Sequence, residues 1–376
     1  MPANACPGDH TRSSATETLA GLIFVIMTPY RSARISAIIP IYGQMSDLPR
    51  LLDKLGQQTL KPHEIIVVDS SPRPLENPPP GVRFVQNPRD VGLACDLNLG
   101  AQMAKGDYLL VVQQDCLPEN ERSIETLLSA MTPTRVAVAS MVTLPREVWD
   151  QYNFWGKVLM ARWVGDVHQG ISDKFDLIRK DVFDRIGGYD VERFAAGGQD
   201  MDLCLRLMQH GEVYISPNRA IHLHYQSKPT RWTEIFTKQY QIAESFGALI
   251  RKWGLKLRRA PYAGHWTHHL SKYLYPLLFL LPFAPKSIGM TLLILTNVAN
   301  WEALTIKSVR TPLLLVFNPV IFLFQAAGTL RGLCSGRQQY SQDKVKPSEA
   351  LNRGATGISG NRTEANEENK APGTHP

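Results

Sequence analysis

The stretch Gly106-Asp107-Tyr108-Leu109-Leu110-Val111-Val112-Gln113-Gln114-Asp115-Cys116-Leu117-Pro118 constrains the fold most. Tyr108 to Val112 runs without a polar break, the mark of a strand buried on both faces of a sheet. The run then stops at a polar triplet that ends in a carboxylate. Open α/β sheets place ligand chemistry outside the carboxyl ends of their strands. Asp115 is therefore a candidate for that chemistry. Taken alone, the same pattern serves equally as the cap of a helix starting near Asn120.

The theme recurs upstream. Ser36-Ala37-Ile38-Ile39-Pro40-Ile41-Tyr42-Gly43 is a short buried strand closed by a turn, and Leu48, Leu51, Leu52 and Leu55 follow at helical spacing. His63-Glu64-Ile65-Ile66-Val67-Val68-Asp69-Ser70-Ser71-Pro72 is again a β-branched run, then a carboxylate, then turn residues. Pro72 to Gly81 is loop, Val82 to Val85 a third strand, and Gly92 to Ala104 a helix. Strands alternating with helices predict an α/β fold of βαβ units around a largely parallel sheet. Right-handed crossovers then bring Asp69 and Asp115 to one edge. Downstream the pattern predicts strands over 136–142 and 175–178, a turn at Gly187-Gly188-Tyr189-Asp190, a helix over 200–209, and strand segments at 213–215 and 221–224. The aromatic stretch 146–164 reads as a lid or acceptor wall, with a satellite core as the competing reading.

A chain of 376 residues with 44% hydrophobic and 20% charged residues holds one large domain plus appendages. A net charge of +7 suits a nucleotide, a nucleic acid or an anionic membrane. The five cysteines are scattered, without metal-ligand spacing, which points to a reducing compartment. Leu19 to Met27 is apolar but lacks a basic flank and a clear cleavage site, so no secretory signal is expected. Residues 1–33 read as a disordered leader, with Met27 an alternative initiator.

The ordered set of Asp69, Gln113-Gln114-Asp115, Gly187-Gly188-Tyr189-Asp190, Gly198-Gln199-Asp200-Met201-Asp202-Leu203-Cys204-Leu205-Arg206, Pro217 and His224 resembles the family-2 glycosyltransferases, which have the GT-A fold. The resemblance covers roughly residues 35 to 230 as a series of motifs. It implies a GT-A domain over 34–232 that takes a UDP-, GDP- or dTDP-sugar as donor and Mg²⁺ or Mn²⁺ as cofactor. Asp69 would accept a hydrogen bond from the nucleotide base, flanked by Pro40 and Tyr42, because a carboxylate makes the stronger charge-assisted bond. The competing reading of Asp69 is an Asx-turn with Ser71. Asp115 would hold the metal on the diphosphate, since hard oxygen ligands suit these ions. Asp200 would be the general base that deprotonates the acceptor hydroxyl; local pattern alone favours a helix cap, and the Gly-Gly-Tyr-Asp turn upstream with Leu203-Cys204-Leu205-Arg206 after it favours the base.

The sequence departs from the family pattern at two places. Gln113 stands where the first Asp of the metal motif usually sits, and Gln199 stands where a Glu usually precedes the base. Gln113 and Gln114 remain donor-binding candidates, because an amide bonds a ribose hydroxyl. His224 matches a histidine able to reach the metal or diphosphate, with His222 the competing choice. Asp96 and Asn98 are weaker donor-site candidates; Arg179 and Lys180 are the best nearby cations for a phosphate, with a solvated pair at a strand end as the commoner reading. Arg231-Trp232 lacks the upstream Gln spacing of processive polysaccharide synthases: Gln226 leaves four intervening residues rather than two. Single transfer is expected, and a processive synthase is the alternative.

Residues 233–269 read as linking or interfacial helices, with the basic, apolar run Arg251 to Arg259 suited to anionic lipid. Residues 270–332 read as membrane-associated helices, although mean hydropathy is only −0.17. Residues 333–376 read as a disordered tail. The expectation is an inverting glycosyltransferase on the cytoplasmic face of the cell membrane, acting on a saccharide or lipid-linked acceptor, with no nucleic acid partner. One rival is a sugar-nucleotide-binding protein without turnover. The other is a nucleotidyltransferase, which needs a basic Gly-rich loop that Ile41-Tyr42-Gly43-Gln44 does not supply.

Overall fold

This computed structural model describes residues 33–43, 47–73, 75, 77–87, 92–167, 170–223, 229–261 and 285–339. Strand β1 (Ile35–Ile41), helix α1 (Leu48–Gly56), β2 (Glu64–Asp69), β3 (Arg83–Gln86), α2 (Leu93–Met103) and β4 (Tyr108–Val112) alternate as expected. β1 pairs in parallel with β2 and β4, and β2 with β3. Successive strand residues point to opposite faces. Ile39 therefore packs with Leu51 and Leu55 of α1, while Ile38 packs with Leu97 and Ala101 of α2. Two helix layers bury both faces, which is why these strands read as continuous apolar runs.

The second half is not parallel throughout. β5 (Cys116–Pro118), α3 (Ser123–Ser129), β6 (Arg135–Leu144), α4 (Arg146–Asp150), α5 (Phe154–Met160), β7 (Gly165–Val167), β8 (Phe175–Arg179), α6 (Lys180–Arg185), α7 (Gln199–Leu207) and β9 (Glu212–His222) complete a nine-stranded sheet. Its order is β3-β2-β1-β4-β8-β6-β9-β5, with β7 attached to β6. β8 runs antiparallel to both β4 and β6, and β5 antiparallel to β9. The expected, largely parallel sheet is thus mixed. After β6 the chain turns back, through two short helices, so that β7 and β8 both run antiparallel to β6.

β9 is one strand where the sequence pattern suggests two. Its register with β6 shifts between Ala139 and Met141, opposite Ser216 to Asn218. The irregularity accommodates Pro217, which has no N–H to give the ladder. Asn218 Nδ2 donates to Ser140 Oγ at 2.9 Å and closes the gap.

The C-terminal part is helical: α8 (Trp232–Trp253), a 3₁₀ turn at Gly254–Arg259, α9 (Pro285–Ala299), α10 (Trp301–Leu304) and α11 (Leu314–Ser335). α8 and α11 lie so close that a Cβ at Gly328 or Gly332 would collide with the carbonyls of Tyr240 or Glu244. The polar residues that interrupt α11 face its neighbours. Asn318 bonds Asn297 of α9 at 3.0 Å, Gln325 bonds Gln239 of α8 at 2.6 Å, and Arg331 pairs with buried Glu244 at 3.1 Å. One helical stretch among the described residues, Thr311–Ser335, is long and apolar enough to cross a membrane by length and composition. The leader 1–32, the apolar block 273–284 and the tail beyond 339 lie outside the described residues.

Candidate active site

The parallel strands deliver their ends to one edge. Asp69 is the last residue of β2, and Asp115 follows β4 across a turn in which Cys116 N–H donates to Gln113 O at 3.0 Å. Gln113 and Gln114 form that turn and are partly exposed. Tyr42 stands 51% exposed just past β1, while Pro40 is buried within the strand.

Asp69 has no exposed surface, and its carboxylate is already engaged. Oδ1 accepts from Ser71 N–H at 2.8 Å and Oδ2 from Leu75 N–H at 2.9 Å. The Asx-turn reading describes this arrangement: Asp69 shapes the loop beside Tyr42. Asp96 accepts from Ser70 Oγ at 2.7 Å and Asn87 Nδ2 at 2.8 Å, tying two edge loops together. Asn98 bonds the backbone of Tyr189 in both directions, at 2.8 and 3.0 Å, and so fixes the Gly-Gly-Tyr-Asp turn. Both side chains serve the protein's own loops rather than an open donor cleft.

Asp115 is 21% exposed, and its Oδ2 lies 3.3 Å from His222 Nε2. β9 pairs His222 directly with Cys116, so the strand register makes this contact. His224 lies outside the described residues. Asp115, Cys116 and His222 present ligand atoms within 4.8 Å of one another. Burial pushes the Cys116 thiol well above its ordinary range, so it stays neutral and suits a hard cation poorly. Burial lowers the affinity of His222 for a proton, against the pull of Asp115, which keeps an imidazole lone pair available. Asp115 and His222 therefore fit a divalent ion as two protein donors, with water and diphosphate oxygens to complete the shell.

The expected phosphate cations, Arg179 and Lys180, are at the wrong edge. Because β8 runs antiparallel to β4, Arg179 pairs with Tyr108 at the start of β4, and Phe175 pairs with Val112 at its end. Arg179 is spent on Asp181 at 2.9 Å and Lys180 on Asp184 at 2.6 Å. The same register brings Lys174, one residue before β8, to the carboxyl edge. Its ammonium donates to Ser172 O at 3.1 Å. Its charge acts on His222 and Cys116 on one side and on Asp176 and Asp200 on the other.

Asp200 sits in the first turn of α7, behind Gly198, whose φ of 78° suits glycine. Its Oδ1 accepts from Met201 N–H at 2.8 Å. Burial raises its pKa, opposed first by Lys174. Beside it lies Asp173, fully buried, with a φ of 63° that is rare for a residue with a side chain. Asp173 accepts from Tyr189 Oη at 2.6 Å and Gln199 Nε2 at 3.1 Å. Burial, and then the charge of Asp200, hold its proton on. Gln199 thus donates to Asp173 where a Glu would set a third like charge beside Asp173 and Asp200. Asp173 and Lys174 went unread in the sequence; the signal was the charged Ser172-Asp173-Lys174 ahead of an apolar strand.

A mixed sheet flanked by helices, with carboxylates gathered past the ends of its parallel strands, is the GT-A glycosyltransferase fold. Residues 36–187 match the family model Glycosyl transferase family 2. An uncharacterized glycosyltransferase of Haemophilus influenzae is 27% identical over 192 residues, 46% of this chain and 62% of the relative. The O-antigen chain rhamnosyltransferase of Salmonella typhimurium is 24% identical over 196 residues, 47% of this chain and 62% of the relative. The chain therefore spans less than two thirds of the length of these relatives. A mannosyltransferase from Pyrobaculum calidifontis, solved with GDP-Man and Mn²⁺, superposes with a TM-score of 0.50 over 86% of this chain and 97% of that one. At 15% identity that likeness carries the fold.

Proposed function

We propose that the chain is an inverting glycosyltransferase that moves one sugar from a nucleoside-diphosphate sugar to a hydroxyl of a saccharide or lipid-linked acceptor. The observation that carries this reading is the placement of Lys174, whose charge acts on both the Asp115–His222 pair and Asp200. A donor lying between these groups would have its diphosphate at the first and its anomeric carbon toward the second.

Tyr42 offers an exposed aromatic face to the base, beside the loop that Asp69 shapes. Asp115 and His222 would hold Mg²⁺ or Mn²⁺, which supplies Lewis-acid stabilisation of the departing diphosphate. A mannosyltransferase of the same fold that was solved with Mn²⁺ supports a divalent ion. Lys174 adds a fixed positive charge for the same leaving group. Asp200 takes the proton of the acceptor hydroxyl as its oxygen attacks from the face opposite the diphosphate. Cell-envelope polysaccharide is the acceptor class that the O-antigen relative suggests. Single transfer is favoured because Arg231 and Trp232 begin α8, where Trp232 packs edge-on against Phe236 and Phe317 instead of gripping a polymer.

The exposed side chains of α9 to α11, among them Ile294, Val298, Trp301, Val316 and Leu323, would rest on the cytoplasmic leaflet. The test is release of nucleoside diphosphate from a panel of GDP-, UDP- and dTDP-sugars with Mn²⁺. One donor turned over by the wild-type chain supports the reading. Tight donor binding with no release under any condition would instead favour a sugar-nucleotide-binding protein.

A further inference from the structure

A pocket of about 240 Å³ adjoins Asp200 on the side of the C-terminal helices. Arg162, Trp163 and Asp200 line it from the sheet domain, and Ile242, Phe246 and Glu302 line it from α8 and α10. The volume falls below the roughly 300–1,000 Å³ of drug-sized sites and has room for one ring. Its walls alternate apolar surface with carboxylates, an indole and a guanidinium. That mixture suits a sugar, which has an apolar C–H face and a rim of hydroxyls.

Two observations mark the pocket as a site rather than a packing gap. Glu302 Oε2 is enclosed yet meets no hydrogen-bond donor among the described residues. An enclosed carboxylate oxygen without a donor is costly, and because Glu302 lines the pocket, rotation of its carboxylate would bring that oxygen to a ligand hydroxyl. Arg162 Nη2 donates to Asn300 Oδ1 at 3.2 Å, which ties the two walls together.

We propose that this pocket is the acceptor subsite and takes a single sugar ring, with one hydroxyl donating to Glu302 and another facing Asp200. The proposal rests on the transferase reading above. In the step it serves, the acceptor O–H proton passes to the Asp200 carboxylate. The acceptor oxygen bonds to the anomeric carbon, and the bond from that carbon to the diphosphate oxygen breaks with its electron pair. Acceptor choice then resides in the C-terminal helices, and donor choice at the sheet edge.

The experiment uses the full chain, the nucleotide sugar it hydrolyses, and the octyl glycosides of glucose, galactose, mannose and N-acetylglucosamine as probes. The readout is the ratio of sugar transfer to donor hydrolysis. Glu302→Gln removes a charge, and Ile242→Trp narrows the mouth from a position that is 51% exposed, where folding is little at risk. Each substitution is expected to lower the ratio at least tenfold on a glycoside the wild type uses. An unchanged ratio in both variants overturns the proposal. Wild-type hydrolysis with no transfer to any glycoside overturns the sugar-ring assignment and leaves the transferase reading standing. Neither hydrolysis nor transfer by the wild type removes the transferase reading itself.

Discussion

Buried carboxylates set the behaviour of this site residue by residue. Asp176 is fully buried, and burial pushes its pKa up to about 6, although the backbone N–H groups of Ser140, Ser172 and Asp173 pull the other way. An acid raised in the folded state contributes stability that is whole below its unfolded pKa and is lost as pH rises through the folded one. Urea midpoints of wild type and Asp176→Asn are therefore expected to change relative to each other between about pH 4 and about pH 6, the wild type losing ground as pH rises, and then to run parallel. Asp200 is raised too, and in its proposed role as base it works only when ionised. The acid limb of the pH–rate profile should accordingly lie above the ordinary carboxylate range of about 4. Asp200 could be read from sequence because a helix-start Asp after a Gly-Gly-Tyr-Asp turn is a local pattern. Lys174 could not, because its place beside Asp115 depends on β8 running antiparallel to β4. Strand register likewise sets His222 beside Asp115, whereas His224 lies outside the described residues.

At the scale of elements, α8 is the brace between the sheet domain and the C-terminal helices. Lys252 near its end reaches Asp190 at 2.8 Å and fully buried Asp202 at 2.6 Å, and Trp253 Nε1 donates to Asp202 at 2.9 Å. These contacts anchor the Gly-Gly-Tyr-Asp turn and the helix that carries Asp200. Lys252→Met leaves Asp202 with Arg206 as its remaining cation, and a loss of about 2–3 kcal/mol in urea unfolding is expected. On the other face, glycines let α8 and α11 touch backbone to backbone. Gly332→Val should force them apart at a cost of roughly 1–3 kcal/mol, read as a lowered melting temperature. The alternating β-branched and amphipathic runs made the elements up to β4 legible, since each buries its own predictable face. The order of strands beyond β4 was not, because pairing between distant segments leaves no local periodicity.

Over the whole molecule, the proposed donor chemistry belongs to one edge of a mixed sheet and exposed apolar surface to the far C-terminal helices. α11 reads as a membrane span in sequence, yet it is part-buried, held to α9 through Asn318 and to α8 through Gln325 and Arg331, contacts that hydropathy does not reveal. The proposed membrane contact is therefore with one leaflet rather than a crossing. The full chain is expected to float with vesicles containing phosphatidylglycerol, and Val298→Glu with Val316→Glu should weaken that binding about tenfold or more. Flotation unchanged by the pair would place the lipid contact elsewhere.

The central claim is that Asp115 and Asp200 serve one donor in different ways, and donor binding measured beside turnover separates them. Asp200→Asn should cut turnover by about 10²–10⁴-fold while holding the nucleotide sugar as tightly as the wild type. Asp115→Asn should lose Mn²⁺-dependent donor affinity. Turnover by Asp200→Asn within twofold of the wild type, or donor affinity indifferent to Asp115→Asn, would contradict the account.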